Sequence, residues 1–279
     1  MHTWIIEGNR QRLDGGSMFG NAPKALWSKW NPPDESNRIL LSCRALLVQT
    51  SSGKNILFET GIGNFFEPKL KERFGIDENE HVLLKNLEMA GFKPHDIDSV
   101  ILSHLHFDHA GGLLSSYAEN EIFKLVFPKA SFYVGQEHWM RAQNPHIREQ
   151  VSFIPIIHQL LKDSQRLRLV EGESHPDLDF GVKFHYSHGH TIGLMISEIF
   201  LEDTSVFFVS DLIPGKSWVH LPIVMGYDRF PEQTVNEKKQ ILEKIIDSKG
   251  KLFFTHDPEI AFAHVQKDSQ GKFFIRPLA

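Results

Sequence analysis

The chain has 279 residues and a net charge of −5, and its 30 Lys and Arg are scattered rather than gathered into the basic stripe a nucleic-acid groove needs. Hydrophobic residues make up 41% and include 22 Phe, enough for a sizeable core, yet no run approaches the ~20 apolar residues of a membrane span. The first ten residues lack the apolar centre of a signal peptide and the single cysteine excludes an internal disulfide, so a cytoplasmic protein without membrane or nucleic-acid partners is expected.

Residues 38–49 read as a long strand, with Cys43 inside it as a small core side chain and a reactive thiol as the lesser alternative. Residues 54–59 form its hairpin partner across Ser51-Ser52-Gly53. Val82–Met89 has helical spacing and stops at Gly91, and residues 97–102 read as a buried strand. A short strand at 131–134 precedes helices at 136–143 and 147–162, the second interrupted by Pro155. Strands follow at 166–170, 182–187, 194–201 and 206–209. Pro231 opens a helix that runs to about Ser248, with Val235, Ile241, Leu242, Ile245 and Ile246 on its apolar face and Gly250 ending it. Residues 252–254, 261–266 and 272–276 complete the strands. Hairpins with interposed helices predict an α/β fold of two mixed sheets packed face to face, helices outside. One domain over 1–279 is expected, with 1–36 as an N-terminal strap.

The chemistry concentrates after the strand at 97–102, in Ser103-His104-Leu105-His106-Phe107-Asp108-His109-Ala110-Gly111-Gly112. Four metal-capable side chains fall within six residues there. Neutral imidazole suits zinc and other first-row metals, and a carboxylate adds a hard ligand. A histidine-rich surface loop is the bland alternative. Against it stand His190, Asp211 and His256, each just past an apolar strand. With His104, His106, Asp108 and His109 they make seven donors, enough for two metals sharing a carboxylate.

These motifs resemble the metallo-β-lactamase fold superfamily, an αββα sandwich. Within it the chain is similar to the N-acyl-homoserine-lactone lactonases and to methyl parathion hydrolase. Leu13-Asp14-Gly15-Gly16-Ser17-Met18-Phe19-Gly20, followed by Pro23-Lys24-Ala25-Leu26-Trp27, resembles that branch's N-terminal signature. The resemblance implies one metal on His104, His106 and His190, a second on Asp108, His109 and His256, and Asp211 bridging them. Two divalent ions, zinc foremost, would lower the pKa of a shared water and polarise the substrate's carbonyl or phosphoryl oxygen. Asp108 would orient that water and pass a proton to the leaving group. His188 competes with His190 on spacing, and the motif Gly189-His190-Thr191 favours His190.

The chain departs from the pattern twice. Glu59-Thr60-Gly61 stands where Asp-Thr-Gly is usual, and Pro214 stands where such lactonases carry a tyrosine, a role Tyr227 would have to fill. Phe19, Trp27 and Phe107, with Phe65 or Phe66, are candidates for an apolar substrate cleft; a packing strap, or a homodimer contact, is the alternative for the N-terminal segment. His220 reads equally as pocket wall or surface, and His138 as structural. The expected substrate is a small molecule: a lactone or related ester, with a phosphotriester as runner-up. A thioesterase of the glyoxalase II type usually needs a further helical domain, and an RNase Z-type nuclease is disfavoured by the charge. A catalytically inactive sensor or scaffold is the alternative from another class.

Overall fold

The computed structural model describes residues 1–278. They divide into two compact units, one made of residues 1–11 and 42–171, the other of residues 12–41 and those from Gly172 onward.

The first unit is built on a six-stranded sheet. Its order is His2–Ile6, Ala45–Gln49, Asn55–Phe58, Ser99–Leu102, Ser131–Gly135, Leu167–Val170. The first three strands pair antiparallel and the last four parallel. Every residue of Asn55–Phe58 and Ser99–Leu102 is buried, as expected of central strands covered on both faces.

The second unit carries another six-stranded sheet, ordered Phe273–Pro277, Phe262–Lys267, Lys251–Phe253, Ser205–Phe208, Leu194–Phe200, Val182–Ser187. Its central pair, Ser205–Phe208 with Lys251–Phe253, is parallel and the rest antiparallel. Gln11–Asp14 and Arg38–Leu41 form a separate two-stranded sheet. The long helix Pro231–Asp247 starts with proline, where its missing N–H has no partner to lose. It buries Thr234, Lys238, Ile241, Leu242 and Ile245, a stripe at helical spacing.

Two mixed sheets with helices are thus present, as the sequence predicts. Two local readings differ. The apolar run 38–49 is two strands: Arg38–Leu41 pairs with Gln11–Asp14, whereas Ala45–Gln49 pairs with His2–Ile6 and Asn55–Phe58. The change of partner leaves no trace in hydrophobicity. The helix expected over 147–162 is a short 3-10 turn, Gln150–Ser152, and then a helix that begins at Pro155, since proline is tolerated only at a helix start. Within residues 1–36, His2–Ile6 is a sheet strand, and two short helices, Gly15–Phe19 and Lys24–Trp27, follow Gln11–Asp14.

Candidate metal centre

In the first unit, Asn55–Phe58 and Ser99–Leu102 run parallel, so their carboxyl ends share one sheet edge. Ligand sites in such sheets gather at that edge. Glu59 leaves the first strand, and Ser103 and His104 leave the second. The next residues turn into a short helix, Phe107–Ala110, that presents Asp108 and His109. Gly111 and Gly112 follow because nothing larger fits: a Cβ would lie 2.3 Å from Ile62 O and 2.0 Å from Thr60 O respectively.

His104, His106, Asp108 and His109 are all buried. His109 Nδ1 donates to Glu59 Oε2 at 2.8 Å. Ser103 donates its hydroxyl to Glu59 Oε1, and His104 Nδ1 lies 2.9 Å from that hydroxyl oxygen. Glu59 therefore orients two imidazoles and leaves both Nε2 atoms facing inward. His106 is turned the other way, with Nε2 3.1 Å from Glu149 Oε1 and Nδ1 3.1 Å from His104 Nε2. Arg141 holds the other Glu149 oxygen, with Nε at 2.7 Å. Asp108 accepts from Gln11 Nε2 at 2.6 Å. His138 Nε2 accepts the Leu105 N–H at 2.9 Å and so braces the loop, the structural part its sequence context suggests.

In the second unit, Asp211 follows Ser205–Phe208 and His256 follows Lys251–Phe253, again at the carboxyl ends of a parallel pair. His190 lies in the connection from Val182–Ser187 to Leu194–Phe200, whose register puts Ser187 opposite Leu194 at the same edge. The two oxygens of Asp211 face different imidazoles: Oδ2 is 3.2 Å from His190 Nε2 and Oδ1 is 3.1 Å from His256 Nε2. His190 Nδ1 is held by Asp228 Oδ1 at 2.9 Å. His256 is fixed through its backbone, its N–H donating to Pro214 O at 2.9 Å. His188 instead accepts the Gly193 N–H through Nδ1, so its ring serves the turn.

This donor set fits divalent cations. Four imidazoles have their outer nitrogen on a carboxylate or hydroxyl, which fixes the tautomer and bares the other nitrogen, as metal-binding histidines require. Buried imidazole nitrogens 3.1 Å apart, and a buried carboxylate between two imidazoles, call for a shared cation rather than for each other.

The substrate candidates are placed unequally. Phe19 and Trp27 are fully buried: Phe19 stacks on Trp27 at 5.4 Å and on Trp218 at 4.5 Å inside the second unit's core, so neither ring offers surface to a ligand. Phe107 is half-buried and packs on Phe66 and Phe74 in the first unit. His220 is half-buried, its pKa lowered by burial and then by Lys272 and Lys238. Tyr227 is 38% exposed. The sequence reading missed Gln11, Glu149 and Asp228, whose only signal is a carboxylate or amide that must be buried to matter.

Comparison with known proteins agrees with this geometry. The sequence profile of the metallo-β-lactamase superfamily matches residues 38–256, and the chain belongs to that superfamily. With its buried His/Asp clusters it is a metal-dependent hydrolase of that class. An N-acyl homoserine lactonase of Bacillus thuringiensis is 26% identical over 222 residues, 77% of each chain. A structure described as a probable metal-dependent hydrolase from Staphylococcus aureus is 29% identical, with a TM-score of 0.86 over 100% of this chain and 98% of that one. AidC, a dizinc quorum-quenching lactonase solved with its product N-hexanoyl-L-homoserine, is 24% identical, with a TM-score of 0.78 over 99% and 94%. Among the described residues no helix is long and apolar enough to cross a membrane.

Proposed function

We propose that the chain is a dinuclear metal-dependent lactonase that opens small lactones of the N-acyl-homoserine type, or cleaves related esters. The observation that supports this most is Asp211, a buried carboxylate whose two oxygens each face a different imidazole. His104, His106 and His190 would hold one ion and Asp108, His109 and His256 the other, with Asp211 common to both. When bound, the two ions supply Lewis acidity, which activates water and polarises the carbonyl. The chain's own residues do the rest. Glu59, Glu149 and Asp228 fix imidazole orientation. Asp108, steadied by Gln11, accepts the attacking water's proton and delivers it to the leaving ring oxygen. Water oxygen bonds to the acyl carbon, the ring C–O bond breaks, and a hydroxy acid leaves.

The test is a substrate screen on metal-replete protein with N-acyl homoserine lactones, aryl esters and phosphotriesters, run in isotopically labelled water. Lactone turnover with label in the new carboxylate is expected. Label in the product alcohol contradicts attack at the carbonyl. Pro214, in the tyrosine's place, keeps a phosphotriesterase as the second reading, and turnover of phosphotriesters alone would establish it. Full metal loading without turnover on any of them would favour a sensor or scaffold.

A further inference from the structure

The first half of the loop that carries His190 is gripped by the first two turns of the long helix Pro231–Asp247 and the two residues before it. Glu237 gathers three donors: Ser187 Oγ at 2.6 Å, Gly189 N at 3.0 Å and His188 N at 3.0 Å. Gln233 steadies Glu237 from one turn earlier, at 2.9 Å. The loop's carbonyls are taken too, since Phe230 N donates to Gly189 O at 2.8 Å and Arg229 N to His190 O at 3.2 Å. The approach is so close that a Cβ on Gly189 would lie 2.3 Å from Thr234 Oγ1.

One residue beyond Glu237, the fully buried Lys238 does the same for a second loop. Its Nζ donates to His220 O and Leu221 O, both at 3.1 Å, and to Ile223 O at 2.6 Å. Three carbonyls match the three N–H bonds of an ammonium. That loop continues to Met225, whose N–H donates to Asp228 Oδ2 at 3.2 Å, while Asp228 Oδ1 holds His190. Thr234, Glu237 and Lys238 share one helix face by their i, i+3, i+4 spacing. The desolvation cost of these two groups is met by the bonds they make, three carbonyls on the Lys238 ammonium and one hydroxyl and two backbone N–H groups on the Glu237 carboxylate, so each group ties its loop to the helix. What they hold in common is His190, each through an intermediary: Glu237 fixes Ser187–Gly189, the three residues before it, and Lys238 fixes the loop whose Met225 N–H steadies Asp228, the carboxylate on its ring.

We propose that Glu237 and Lys238 are positioning residues for His190, setting the affinity of the metal that His190 binds; this rests on the dinuclear reading above. The experiment titrates zinc and cobalt into metal-free protein against a chromogenic chelator, for the full chain, Glu237→Gln, Lys238→Met and the exposed-face control Lys239→Ala. In each positioning variant one of the two metals should bind roughly 10- to 100-fold more weakly, with an altered cobalt absorption spectrum, while the other metal and the control stay as in the parent. The discriminating measurement is a double-mutant cycle with His190→Ala. In that background Glu237→Gln should cause no further loss, because the ligand it positions is gone. Parent-like affinity for both metals, or equal losses with and without His190, would overturn the proposal. If Lys238→Met does not fold, Glu237→Gln decides alone. A parent chain that binds fewer than two metals would defeat the dinuclear reading itself, and the proposal with it.

Discussion

Among the described residues six non-glycine positions have positive φ, and two of these, Glu59 and Ser210, are buried next to candidate ligands. Each such conformation costs about 1–3 kcal/mol and persists only where the surroundings enforce it. At Glu59 the enforcement is visible: the carboxylate orients His109 directly and His104 through Ser103. Glutamate, standing where aspartate is usual, thus reaches both imidazoles. Glu59→Gln keeps the shape and removes the charge, so metal affinity should fall roughly 10- to 100-fold with little loss of folding. Unchanged affinity in a chelator competition would remove Glu59 from the site. Asp211→Ala should abolish turnover and lower metal content, whereas His188→Ala should do neither; a His188→Ala loss as large as that of Asp211→Ala, with His190→Ala mild, would show that the wrong histidine of that loop had been chosen. The four donors from His104 to His109 could be read from sequence because one loop carries them all. Asp228, Glu149 and Gln11 could not, because each lies far along the chain from the residue it serves.

Elements were legible where one periodicity serves one partner. Val82–Met89, Gln136–Gln143 and Val182–Ser187 have the limits their patterns predict. The run 38–49 departs from its reading because two sheets share it, and the short helices of the N-terminal segment carry no full period by which a sequence could announce them. Met18, Phe19 and Trp27 of that segment are core. Phe19 lies between Trp27 and Trp218, and Trp218 Nε1 donates to Met18 O at 3.0 Å. Phe19→Ala should cost about 3–5 kcal/mol, seen as a lower urea midpoint with metal content unchanged. A selective loss of affinity for long-chain substrates, with stability intact, would return Phe19 to the substrate cleft. The helix Pro155–Asp163 carries a different liability. Burial, with Lys162 one turn on, pushes the His158 pKa down to about 4. Between pH 6.5 and 4 the unfolded chain binds a proton that the folded chain refuses. The stability this neutral imidazole contributes is thus full above pH 6.5 and lost as pH falls toward 4, by about 3 kcal/mol. In metal-free protein, His158→Leu should flatten the acid limb of stability against pH. Parallel curves for the two proteins would rule His158 out as its cause.

For the whole molecule the telling fact is that the proposed ligands run from His104 to His256, more than half the chain. An unfolded chain cannot present such a set, so metal binding is coupled to folding and stabilises only the native state. The size follows from mass action: free metal at 100 times its dissociation constant contributes about 2.7 kcal/mol per site. For a chain of this length 1 kcal/mol moves the melting temperature by about 2–4 °C, so each filled site should raise it by roughly 5–10 °C. Stripping the protein with a chelator should lower the melting temperature, and zinc should restore it in step with the uptake of two ions per chain. The order of filling adds a constraint. In His190→Ala the first ion to bind should still raise the melting temperature, since Asp108, His109 and His256 remain, and the second increment should shrink or vanish. A stripped protein that melts where the loaded one does would mean the buried imidazoles form a self-sufficient core, and the metal-centre reading would fall with it.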